Sequence, residues 1–104
     1  MTDTQNTTVL TWRPGNKRGV YVLRQHYEAV SKLIFSLLND KQSVSLEELI
    51  EAAQSLSLEP KADVAYVLLQ VKSDLQVKEL IQVDMVGPYR KQIISKCDRR
   101  RTAA

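Results

Sequence analysis

Two residue types in this chain invite a chemical reading, and each occurs once: His26 and Cys97. A metal site needs several ligands converging on one ion. His26 has no second histidine and no acidic cluster beside it, so a satisfied histidine at the edge of a buried stripe is expected. Cys97 has no cysteine to pair with, and nothing around it marks an activated thiol. Glu47, Glu48 and Glu51 are spaced for helix capping and solvation, with no partner for acid–base work. No glycine-rich phosphate loop, paired-cysteine motif or framed serine nucleophile occurs. These features predict a protein without catalysis, cofactor, metal or small-molecule ligand.

Phosphate chemistry is the remaining option. Lys61, Arg90, Lys91, Arg99, Arg100 and Arg101 are the candidate nucleic-acid contacts, and a pI near 9.1 favours them. The distribution of charge does not. Residues 1–20 carry three basic side chains and one acidic, and residues 96–104 carry four basic and one acidic. Residues 21–95 carry eight basic and ten acidic. The basicity therefore sits at the ends, where solubilising tails are common, and the body is slightly acidic.

The elements that must position these residues follow from periodicity. Length predicts one domain, with residues 1–20 as an extended arm, 21–96 as the folded unit and 97–104 as a basic tail. Val9–Trp12 and Val20–Leu23 flank a turn-rich loop, which predicts an N-terminal hairpin or a single strand laid on the domain. A first helix is expected over 25–39, with Leu23, Tyr27, Val30, Leu33, Ile34 and Leu37 inward and Phe35 off the stripe. A second is expected over 45–56. Ser45 and Glu48 form its capping box, and Val44 and Leu49 its hydrophobic staple. A third is expected over 60–77, with Pro60 in its first turn. Its inward stripe is Val64, Val67, Leu68, Val71 and Leu75; Ala62, Tyr66, Leu69 and Ser73 lie opposite. Gly87-Pro88 then turns a hairpin over 80–95. Leu33, Leu37, Leu49, Val67, Leu68, Val71 and Leu75 are the predicted core.

Helices followed by a hairpin define the expected class: α+β, a three-helix winged helix-turn-helix domain with a C-terminal β-hairpin wing. The run Val71 to Ile81 resembles the end of a recognition helix entering such a wing. Pro14-Gly15-Asn16-Lys17, Tyr27-Glu28-Ala29-Val30, Leu46-Glu47-Glu48-Leu49 and Lys72-x-Asp74-Leu75-Gln76 together resemble a family of small bacterial winged-helix proteins of unknown function. Tyr66 matches that family's aromatic early in the third helix. Glu79 departs from its usual glycine before the last apolar-isoleucine pair. The resemblance implies a fold and no activity.

Two functions fit such a fold, because fold does not decide function. A DNA-binding regulator would read base edges from the third helix, but the face there is Ala62, Tyr66, Leu69 and Ser73, and Glu47 and Glu51 precede it. A protein-interaction or homodimer module would use exposed apolar residues, with Phe35, Tyr66 and Leu69 as candidates. The second function is preferred. Met1–Thr8 lacks the apolar core of a secretory signal and no segment is long enough to span a membrane, so a reduced, cytoplasmic setting is expected.

Overall fold

The computed structural model describes residues 7–58 and 61–96. Along the chain lie β1 (Thr8–Arg13), β2 (Lys17–Leu23), α1 (Arg24–Lys41), β3 (Ser43–Ser45), α2 (Leu46–Ala53), α3 (Val64–Val77), β4 (Ile81–Val86) and β5 (Lys91–Lys96). The architecture is α+β, with three helices and two small antiparallel sheets among the described residues. None of these helices is long and apolar enough to cross a membrane.

The N-terminal segment is a true hairpin: Thr8 pairs with Leu23 and Arg13 with Lys17. Gly15 and Asn16 take positive φ at its turn. The register shifts between Leu10 and Trp12, and the buried Thr11 sits at that shift. Its hydroxyl donates to the Val20 carbonyl at 2.7 Å and accepts the Val20 N–H at 3.2 Å. Gly19 makes room for this: a Cβ there would lie 2.8 Å from Thr11 O and Oγ1. The hairpin runs directly into α1, whose first N–H donates to the Thr7 carbonyl at 2.9 Å.

Val30, Ile34 and Leu38 are the hydrophobic residues that α1 buries, together with His26. The inward stripe is therefore rotated from the expected one, and Leu33 and Leu37 are only half-buried. With hydrophobic residues over a wide arc, two overlapping stripes satisfy the same periodicity. Residues 43–45 form an unexpected strand. Val44 pairs with Ile94 and is buried, which sets β5 between β3 and β4. The C-terminal hairpin is thus the far part of a three-stranded sheet.

Ser45 begins α2 as expected: its hydroxyl accepts the Glu48 N–H at 3.1 Å, and the Glu48 carboxylate accepts the Ser45 N–H at 2.9 Å. That backbone donor, with Lys41 nearby, holds the Glu48 carboxyl below the usual range. The helix stops at Ala53, short of the expected 56. α3 starts at Val64, capped by Asp63, whose carboxylate accepts the Tyr66 N–H at 3.3 Å. Pro60 lies outside the described residues, but residues 61–63 are not helical, so the helix starts later than expected and Ala62 precedes it. Val22, Leu49, Ala53, Leu58, Val67, Leu68, Val71, Leu75, Ile81 and Ile94 complete the core among the described residues.

The end of α3 explains the departure at Glu79. The Leu80 N–H donates to Leu75 and the Glu79 N–H to Gln76, both at 3.0 Å, the paired bonds of a Schellman cap. This cap puts Glu79 at φ 62, in the left-handed region that favours glycine. Glu79→Gly is expected to raise stability by about 0.5–1 kcal/mol, read as a higher urea midpoint at unchanged slope.

Candidate functional site

The outward face of α3 is the first place to look, because it is the helix a DNA reader would present. Tyr66 and Leu69 are 49% and 39% exposed. β1 packs on the same helix, yet it leaves both uncovered. The only basic residue of α3 is Lys72, and it is buried. Its ammonium donates to Gln92 Oε1 of β5 at 3.0 Å, and burial lowers its pKa below the usual lysine range. Lys72 stands next in sequence to Ser73, which was expected on the open face. Lys72 itself is spent inside, against the sheet.

Phe35 does not join this face. It is half-buried and packs against the core, so it is withdrawn as an exposed interface residue. Its position off the stripe was real in the expected helix, but the rotated stripe brings it towards the core.

The basic candidates are scattered. Lys61 is exposed ahead of α3. Arg90 is exposed in the turn between β4 and β5, at φ 54, where its N–H donates to the Gly87 carbonyl at 3.1 Å. Lys91 lies 3.8 Å from Glu47 of α2, and both are mostly exposed. Arg99, Arg100 and Arg101 lie outside the described residues, as does Cys97. The turn and the start of α2 enclose a cleft of about 740 Å³, with Leu46, Ile50 and Val86 among its apolar lining. Tyr89 lines it too and is 93% exposed.

A second cluster was missed. Asp74 is fully buried, and its carboxylate accepts from three directions. The Trp12 N–H of β1 donates at 2.9 Å, the Tyr27 hydroxyl of α1 at 2.5 Å, and Lys78 Nζ makes an ion pair at 2.8 Å. Lys78 also lies over the Tyr27 ring, 5.3 Å from its centre. One carboxylate thereby joins the hairpin, α1 and α3. A signal for it existed: Asp74 stands at helical spacing from Val67 and Val71, on the buried stripe. A carboxylate there must find partners. Lys78 four residues on was the first of them.

Burial, the bond to Asp74 and the Asp74 charge, in that order, push the Tyr27 hydroxyl well above the ordinary tyrosine value. Tyr27 therefore remains a proton donor to Asp74. Because its folded value exceeds the unfolded value near 10, the stability it contributes is whole below that pH and is lost as pH rises beyond it. The urea midpoint is expected to fall more steeply above about pH 10 in the wild type than in Tyr27→Phe. Parallel curves would contradict this.

Among the described residues no group of acidic, histidine or cysteine side chains is arranged to hold a metal ion. Every buried side-chain nitrogen and oxygen among them has a hydrogen-bond partner. A family model, described as a family of unknown function (DUF6958), matches residues 8–90. The match takes in every motif quoted for the resemblance above. No curated protein and no solved structure matches the chain.

Proposed function

The chain belongs to that family, and we propose that it is a winged-helix module that binds protein through the outer face of α3. One observation carries the reading: the only basic side chain of α3 is buried, while Tyr66 and Leu69 stand in solvent on the same helix. A helix that reads base edges needs Arg, Lys, Asn or Gln on its open face. An aromatic beside an aliphatic suits a protein surface.

The winged-helix reading is supported by the order helix, short strand, helix, helix, hairpin. Here the hairpin is anchored by β3 along β5, which stiffens it. The DNA-binding alternative has less support. Glu47 and Glu51 are exposed on α2, and Glu47 lies 3.8 Å from Lys91. Lys61 and Arg90 both sit outside α3. The proposed role is non-catalytic.

Tyr66→Glu tests this. Placing a charge on an interface anchor is expected to weaken self-association at least about tenfold. Light-scattering mass over a concentration series reads it, with circular dichroism showing unchanged helix content. Superimposable mass curves for an associating wild type and the variant would remove α3 from the interface.

A further inference from the structure

We propose that the cleft between α2 and the β4–β5 turn seats a second copy of this chain, related by a two-fold axis. This builds on the reading of the chain as a protein-interaction module and adds a surface separate from the α3 face.

The argument is self-complementarity. A two-fold contact sets one patch against itself, so the patch must contain both halves of every interaction. This one does. Tyr89 is the most exposed large hydrophobic side chain described, at 93%, and it stands on the rim of the cleft. The cleft beside it has Leu46, Ile50 and Val86 among its lining and a volume of about 740 Å³. That volume readily takes a tyrosine ring. Val86 adds to the apolar surface and is itself half-exposed. Knob and hole thus lie side by side, and a two-fold rotation puts each copy's knob at the other's hole.

Charge follows the same pattern. Glu47 lines the α2 wall, and Arg90 and Lys91 line the turn. Arg90 makes no ion pair among the described residues. The Glu47–Lys91 pair is long, at 3.8 Å, and its side chains are 74% and 57% exposed. Such a pair is weak in water and can exchange partners across an interface. A purely acidic ligand would meet Glu47, and a purely basic one would meet Arg90. A second copy offers both signs in the matching places. The turn that presents Tyr89 is closed by the Arg90 N–H, which donates to the Gly87 carbonyl at 3.1 Å, and Val86 pairs with Lys91 across its base.

The experiment uses the full chain and light-scattering mass over a concentration series. Tyr66→Glu is the reference, because it removes the α3 contact and leaves the cleft. That variant is expected to remain a dimer at high concentration. Adding Tyr89→Ala should raise its dissociation constant at least about tenfold. Tyr89 and Glu47 are exposed, so circular dichroism should be unchanged by their replacement. In the same Tyr66→Glu background, Arg90→Glu and Glu47→Lys should each weaken the dimer, and mixing the two should restore it. The mixed pair keeps one native Arg90–Glu47 contact and forms one reversed contact.

A monomeric Tyr66→Glu variant would overturn the cleft dimer, and a monomeric wild type would do the same. Unchanged dissociation on adding Tyr89→Ala would also overturn it, as would a charge-reversed mixture that stays monomeric. The two surfaces separate cleanly. Loss of all association in Tyr66→Glu would leave the α3 reading standing alone. Loss of association in Tyr89→Ala, with Tyr66→Glu equal to wild type, would leave only the cleft.

Discussion

Asp74→Ala is expected to unfold the domain at markedly lower urea than wild type. The carboxylate is fully buried and accepts from the Trp12 N–H and the Tyr27 hydroxyl. Removing it leaves both donors without their acceptor, at about 1–3 kcal/mol each, or about 2–6 kcal/mol together. Lys78 adds little to this sum, because its side chain is 46% exposed and returns to water. Asp74→Asn keeps an acceptor oxygen and loses the charge, so its loss should be smaller. Equal midpoints for Asp74→Ala and wild type would show that the three-way junction contributes nothing.

Leu68→Ala should be of similar size for a different reason. Leu68 is fully buried on α3 among Ile34, Leu49 and Val71 as members of one core cluster. Truncation loses the transfer energy of the removed carbons and leaves a cavity, which together cost about 2–5 kcal/mol. In a domain of this length the melting temperature should drop by about 10 °C or more. Calorimetry reads the shift directly, and a drop of only a degree or two would mean that the site collapses around the smaller side chain.

The features legible in the sequence were those set by local chemistry. Ser45 and Glu48 announced the start of α2 because the capping box closes within four residues. Val67, Leu68, Val71 and Leu75 announced the inner face of α3, where one stripe dominates. The face of α1 was harder. Leu33, Phe35 and Leu37 compete with Val30, Ile34 and Leu38, and only packing by the hairpin and α3 selects between them. Strand β3 was invisible because Ser43-Val44-Ser45 has no strand signature of its own. It exists through pairing with β5, about 50 residues away. Gly87-Pro88 was expected to turn the hairpin over 80–95, yet the turn runs further: β5 begins at Lys91 and Tyr89 sits in the turn. At the candidate site, the apolar character of Tyr66 and Leu69 was readable from α3 periodicity. The burial of Lys72 was not, because its partner Gln92 comes from another element.

The bond from Trp12 to Asp74 spans 62 positions of the chain. Trp12 is also the only tryptophan. Intrinsic fluorescence excited at the indole band therefore watches one event, the closing of the loop that docks the N-terminal hairpin. Helical dichroism watches the three helices. A contact of such separation forms only after a large loop-closure entropy has been met, so it belongs to the late side of the folding barrier. Weakening it should hasten unfolding more than it slows folding. The same indole makes the order of assembly observable without adding a label.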